Sequence, residues 1–256
     1  MWSNLCALVG TLTITFGVSL TGVHSNAFTS QKQQPKMTTL RTVIFLSSAR
    51  TSAPMWGGDA RLGDRVSNWV QAHLSERASK VGDEDVTHEV TVFDPIEVFG
   101  AGGALAHSGA QMSTPTFFTK DVPEGAKAMG EKIEQADAII CITAEYNHSV
   151  PPGLSGMLNH FGGSKFKCKP SGIITYSSSP WGGSRASIAL QPILHELGSL
   201  PVSRMVHVPS VAELIKESGE WEQEDHRMKG QLAGMLDQLE WMAVAMKSQK
   251  EKSGVF

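Results

Sequence analysis

The sequence predicts one doubly wound α/β domain. It has a five-stranded parallel sheet in three layers, with helices on both faces and strand order 2-1-3-4-5. Three observations carry this. Short apolar runs alternate with longer stretches whose apolar residues recur at helical spacing. The run Ala138–Thr143, led in by Asp137, is apolar at successive positions, as a strand buried on both faces must be. No internal repeat breaks the alternation.

Leu40–Leu46 is the first strand, β-branched and apolar. A helix over Arg61–Ala78 places Leu62, Val66, Trp69, Val70 and Leu74 on one face. Val86–Phe93 is the second strand. Residues 94–122 read as one long loop with Gly100, Gly102, Gly103 and Gly109. Pro123 leads into a helix ending near Gln135. The third strand follows, and Pro151-Pro152-Gly153 opens a helix with Leu154, Met157, Leu158 and Phe161 on one face. Ser171–Tyr176 is the fourth strand. The next helix carries Ile188, Leu190, Ile193, Leu194 and Leu197 and stops at Gly198. Val202–Val208 is the fifth strand. Glu213–Glu224 is a polar linker, and Asp225–Lys250 is a last helix with Leu232, Met235, Leu236, Leu239, Met242 and Met246 as its buried stripe.

Composition narrows the function. A chain of 256 residues with 41% hydrophobic and 18% charged residues fits a soluble α/β protein. A net charge of −3 gives no electrostatic case for nucleic acid. Cys6, Cys141 and Cys168 have neither metal-ligand spacing nor a disulfide framework, so no metal site is expected. Cys141 is expected to be a small buried hydrophobe.

Residues 1–36 stand apart as a targeting presequence, and 37–256 form the folded domain. Met1–Gln31 contains no Asp, Glu, Lys or Arg, and residues 5–23 are apolar or small. That pattern fits a secretory signal, with a membrane anchor as the rival. The Thr, Ser and Gly content favours cleavage and no stable membrane insertion of the mature protein. Then come Ala27-Phe28 and a basic, hydroxyl-rich stretch with no acidic residue before Asp59. This resembles the bipartite presequence of algae with complex plastids, which implies a plastid location. Translation from Met37 would instead leave the protein in the cytoplasm.

In a sheet of this order, ligands bind outside the carboxyl ends of the strands at the switch point. Ligand loops should therefore follow strands one, three and four. The first holds Ser47, Ser48 and Arg50, with Arg61, Leu62 and Gly63 at the helix start. Hydroxyls, an arginine and free N–H groups at a helix N-terminus make an anion site. Neither a Gly-Lys-Ser/Thr phosphate loop nor a G-x-G-x-x-G fingerprint follows the strand. The second loop is Glu145-Tyr146-Asn147-His148, an aromatic, an amide and a carboxylate together. The third holds Ser177, then Trp181-Gly182-Gly183 ahead of Arg185. Paired glycines there let backbone approach a flat ligand. His195-Glu196 does not continue to H-E-x-x-H, and no G-x-S-x-G elbow occurs. His73, His88 and His226 are expected at the surface.

These loops resemble those of the NAD(P)H-dependent FMN reductases, a flavodoxin-like family that includes quinone, azo and chromate reductases. The resemblance covers about residues 40–210. It is carried by Ser47-Ser48-Ala49-Arg50, Arg61-Leu62-Gly63, Glu145-Tyr146-Asn147-His148-Ser149 and Trp181-Gly182-Gly183-Ser184-Arg185. The sequence departs from the family at Ala144, where proline is common, and at Leu154-Ser155-Gly156. A longer first loop contains Pro54–Asp59. The resemblance implies that Ser47, Ser48, Arg50 and Arg61–Gly63 hold the FMN phosphate. It implies that Glu145–Asn147, Ser177 and Trp181–Gly183 hold the ring. It further implies NADPH or NADH as donor, a quinone or similar small acceptor, and a homodimer or homotetramer. No side chain is required as an acid or base, because the cofactor carries the chemistry. A flavodoxin-like electron carrier and a flavin-dependent regulatory protein are the alternatives.

Overall fold

The computed structural model describes residues 36–47, 61–108, 115–224 and 226–255. The presequence, except Lys36, lies outside them, as do Ser48, Arg50 and the Pro54–Asp59 insertion.

β1 (Lys36–Leu46) runs through the middle of the sheet, and its last five residues are all buried. It starts earlier than the sequence predicted, because Lys36 pairs with Glu84 in register and through a 2.6 Å ion pair. β1 thus takes in Lys36, the last residue assigned to the presequence. α1 (Leu62–Glu76) buries Val66, Trp69, Val70 and Leu74 as its spacing predicts. β2 (Ser79–Val81) and β3 (Glu84–Phe93) form an antiparallel hairpin across Gly82. β2 is a strand the periodicity did not reveal, since three residues carry no period.

The long loop predicted after β3 contains structure. α2 (Pro95–Phe99) starts there, with Asp94 accepting from the Ile96 N–H at 2.9 Å and Pro95 at its first position. Single 3₁₀ turns follow at Ala106–Ser108 and Thr116–Phe118. α3 (Glu124–Gln135) leads into β4 (Ala138–Ala144), whose seven residues are all buried. Next come α4 (Pro152–Asn159), the single turn α5 (Gly163–Phe166) and β5 (Lys169–Tyr176). α6 (Ser184–Glu196) buries Leu190 and Leu194, but Ile188 faces solvent.

The fifth strand is divided. β6 (Ser199–Pro201) pairs with the start of β5, and β7 (Val206–Val208) pairs with its end. The polar linker after it contains the turn α7 (Val211–Leu214) and a bridge between Ile215 and Trp221. α8 (Arg227–Ser253) closes the fold.

Among the described residues the sheet therefore has seven strands rather than five, in order β2-β3-β1-β4-β5-β6 with β7 also on β5. Every pairing but β2–β3 is parallel. Without the hairpin strand this is the predicted 2-1-3-4-5 order. Apolar side chains of α1 and α8 pack one sheet face, and those of α3, α4 and α6 pack the other. Cys141 is wholly buried, and burial pushes its thiol up to about 12. His88 is not at the surface. Its side chain is 1% exposed and spans from Thr42 Oγ1 (2.9 Å) to Glu240 Oε1 (3.0 Å), tying α8 to the sheet. His73 is half-buried and His226 caps α8.

Candidate functional site

The register lines up the ends of three central strands. Leu46 sits beside Ile142, and Ala144 beside Tyr176. The loops that leave β1, β4 and β5 therefore emerge together at the carboxyl edge.

At the first loop, Ser47 is 1% exposed, and its Oγ accepts the Ala144 N–H at 2.8 Å. The hydroxyl thus fastens β1 to β4. Arg61 is also buried. Its Nη1 donates to Asp94 at 2.9 Å, its Nε donates to Asp64 at 2.9 Å, and its Nη2 reaches both carboxylates. Two carboxylates thus hold a guanidinium that the sequence assigned to a phosphate. Their hydrogen bonds raise its proton affinity against the opposing effect of burial. The arrangement also ties down Asp64, an acid in the first turn of α1. The backbone N–H groups of Leu62 and Gly63 belong to that turn, where helix N–H groups lack intrahelical acceptors. Arg65 points elsewhere, donating to the carbonyl of Ile215 at 2.8 Å.

At the second loop, Tyr146 and Ser149 exchange two backbone hydrogen bonds, of 3.0 and 2.9 Å. Asn147 (φ 50°) and His148 (φ 62°) between them are both left-handed. Positive φ at both central positions is the pattern of a type I′ turn. A histidine there is strained, and such strain collects at ligand-binding loops. The turn leaves Tyr146 41% exposed and His148 in solvent. Glu145 turns inward instead, its side chain 8% exposed. Its Oε1 meets Arg185 Nη2 at 2.6 Å, and its Oε2 accepts the Arg185 backbone N–H at 3.1 Å. Glu145 thus ties the loop after β4 to the first turn of α6.

At the third loop, Gly182 (φ 60°) and Gly183 (φ 71°) are left-handed. A Cβ on Gly182 would lie 2.9 Å from the His207 carbonyl carbon, and one on Gly183 would lie 2.8 Å from the Tyr176 carbonyl oxygen. The glycines are thus required by the close packing of this turn on the ends of β5 and β7. Thr175 Oγ1 donates to the Gly182 carbonyl at 2.6 Å and so accepts from His207 Nδ1 at 2.8 Å. Burial lowers the His207 pKa. Ser177 Oγ donates to the Ser179 carbonyl at 2.8 Å, and the Ser177 backbone bonds Val208 and Val211. Trp181 stands 67% exposed ahead of the glycines.

A flat, phosphate-bearing ligand fits what these loops present. Exposed aromatic rings stand on the second and third loops, and helix N–H groups lie at the first. The three nearby carboxylates, Asp64, Asp94 and Glu145, are bound by two arginines, Arg61 holding the first two and Arg185 the third. Thr175, His207, Asp94 and the Glu145–Arg185 pair were not singled out from the sequence. Only the Asp94-Pro95 step, a helix-start signature, could have signalled one of them. Among the described residues no cluster of His, Cys, Asp or Glu could hold a metal.

The family model described as NADPH-dependent FMN reductase matches residues 40–213. The chain belongs to the NADPH-dependent FMN reductase family. The match takes in all three loops. A quinone reductase of Escherichia coli (strain K12) is 34% identical over 85 residues, which are 32% of this chain and 45% of that protein. The chain thus spans less than half the length of that relative. A quinone reductase of Pseudomonas putida is 30% identical over 130 residues, 46% of this chain and 69% of the relative. Among solved structures, the flavoenzyme NAD(P)H:(acceptor) oxidoreductase FerB from Paracoccus denitrificans aligns with TM-score 0.54 at 17% identity, covering 79% of this chain and 97% of FerB. An oxidoreductase from Corynebacterium diphtheriae aligns with TM-score 0.55 at 16% identity, covering 80% and 98%. At such identities the likeness shows the fold, which is flavodoxin-like.

Proposed function

We propose that this family member binds FMN across the three loops, takes hydride from NADPH or NADH, and passes two electrons to a quinone or similar small acceptor. The observation that carries this reading is the Glu145–Arg185 connection, which joins the exposed-aromatic loop to the paired-glycine loop at the switch point of the sheet. Bound FMN supplies the redox chemistry. Arg50, Ser48 and the N–H groups of Leu62 and Gly63 hold its phosphate. Ser47 and Arg61 act one step back, fixing the loop that carries those donors. Tyr146 and Asn147 border one side of the ring, and Trp181 borders another. Backbone N–H groups of Trp181–Gly183 hold negative charge at the ring's edge. Ser177 fixes the loop that presents them. Nicotinamide and quinone are both flat and use the same exposed face in turn.

The assembly is a homodimer or homotetramer, in which a second subunit covers the ring near Trp181. Light scattering showing only single chains at micromolar concentration would remove that part. No helix among the described residues is long and apolar enough to cross a membrane. The deciding experiment is the visible spectrum of the purified protein before and after anaerobic NADPH. Yellow protein bleached by the donor and recoloured by quinone is expected, with parallel double-reciprocal lines in steady state. Colourless protein that takes up no added FMN sinks the reading. Yellow protein that neither nicotinamide reduces within minutes would make it an electron carrier.

A further inference from the structure

A peptide bond between two glycines has no side chain beside it to hold its direction, and it can turn either way at little cost. Gly182 and Gly183 flank such a bond in the loop after β5. Both residues are buried, and both are left-handed. The end of the sheet beneath them fixes the peptide. Thr175, wholly buried on β5, donates through Oγ1 to the Gly182 carbonyl at 2.6 Å. That hydroxyl has one proton, and its direction is settled from the other side. His207, its register partner on β7, brings Nδ1 to 2.8 Å from the same oxygen. Because Thr175 gives its proton to Gly182, the second bond must use a proton on Nδ1. The relay runs one way, from His207 Nδ1–H through Thr175 Oγ1–H to the Gly182 carbonyl. It is built into the sheet, not into the loop.

The consequence lies on the far side of the peptide. No peptide among the described residues is cis, so the Gly183 N–H points opposite to the Gly182 carbonyl, away from β5. It bonds no acceptor among the described residues. Two residues on, the Arg185 N–H is taken by Glu145 of the second loop at 3.1 Å, so the Gly183 N–H lies where the second and third loops meet. Hydrogen bonds in a chain polarise one another. A carbonyl that accepts from such a chain draws electrons from its own amide, and the N–H on the other side becomes the stronger donor.

Resting on the FMN binding proposed above, we infer that Thr175 and His207 are positioning residues that set the redox preference of the site. They hold the Gly182–Gly183 peptide with its N–H toward the ring, and so favour the reduced, negatively charged cofactor over the oxidised one. Both act through the peptide and not on the ring. A role in packing alone would weaken both redox forms alike. A role through the direction and strength of one N–H separates them.

The test is the two-electron midpoint potential of bound FMN, measured anaerobically against a reference dye, with the Kd of oxidised FMN and the Tm beside it. Thr175→Val should lose about tenfold in preference for the reduced form, the low end of what a donor to a charged group contributes. For a two-electron couple that is a potential about 30 mV more negative. Thr175→Ser keeps the hydroxyl and should keep the parental potential. His207→Leu leaves Thr175 without its donor and should shift the preference the same way by about threefold. His207→Asn, whose amide nitrogen can stand where Nδ1 stands, should restore it. The His207 pair carries the test if Thr175→Val does not fold. In the FMN-free chain at neutral pH, imidazole nitrogen NMR should show His207 Nδ1 protonated. A bare Nδ1 would overturn the inference. So would FMN-bound variants, Thr175→Val and His207→Leu, with the parental potential, or with both redox forms weakened equally; either result would leave the FMN reading standing. A parent protein that takes up no FMN would remove that reading and this inference with it.

Discussion

Glu145 and Arg185 are joined twice, side chain to side chain at 2.6 Å and side chain to backbone at 3.1 Å. Only the backbone bond caps α6, and only the guanidinium bond neutralises the carboxylate. Glu145→Gln keeps the shape and the cap but removes the charge. It should weaken FMN binding by about 1–2 kcal/mol through looser docking of the two loops. Flavin fluorescence titration measures this, and an unchanged Kd would show that the loops hold together without it.

Arg50 and Arg61 should separate cleanly. Arg50→Ala should weaken FMN binding by roughly 1.5–3 kcal/mol, the scale of a charged hydrogen bond, with little change in Tm. Arg61→Ala leaves Asp94 and Asp64 without their cation, so it should destabilise the fold by roughly 2–4 kcal/mol. Urea unfolding beside FMN titration distinguishes them. If Arg61→Ala kept full stability and lost FMN, the phosphate would belong to Arg61.

Gly183→Val should be a folding lesion. The φ of 71° and the 2.8 Å approach to the Tyr176 carbonyl leave no room for a branched side chain. A loss of several kcal/mol in stability is expected, on the scale of strain plus overpacking. A variant with parental Tm but no flavin would return this glycine to a ligand-facing role.

Stability should rise between about pH 8 and 9. Burial, with Lys250 second, puts the folded pKa of Lys169 at about 8 against 10.5 for the ordinary side chain. Between those values the unfolded chain holds more protons, so raising the pH favours the folded state. Above about 9 the buried Cys141 acts oppositely. Its folded pKa of about 12 lies above the ordinary 9.0, so the unfolded chain loses that proton first. Urea midpoints across this range should climb and then level, and Lys169→Met should flatten the climb.

A reporter fused to residues 1–45 should enter the secretory route and reach a plastid. Cytosolic fluorescence would remove that expectation.

Much of the layout was legible because buried parallel strands and amphipathic helices write their period into the sequence. Ile139–Thr143 and the α8 stripe are examples. Short pieces escaped: β2 has three residues, and the fifth strand is interrupted between Pro201 and Val206. The loops were placed by residue type, but their internal bonds were not. Arg61 meets Asp94 at a separation of 33 residues, and Glu145 meets Arg185 at 40. No local spacing encodes such pairs. A buried arginine and a surface phosphate-binding arginine look alike until their carboxylates are located.

The sheet ends in short strands, but β2 covers only Glu84–Val86 of β3 and leaves Thr87–Phe93 as an edge among the described residues. β2 at one side and β6 with β7 at the other have three residues each, and β6 ends in Pro201. A three-residue ladder offers little template for a stray strand, and proline has no N–H to offer it. The long, apolar strands that would seed aggregation, β1, β4 and β5, are all interior. The native protein should therefore resist edge-to-edge pairing at β2, β6 and β7, which leaves the Thr87–Phe93 stretch of β3 as the place where such pairing would start, and heat that opens the sheet should add β1, β4 and β5 to it.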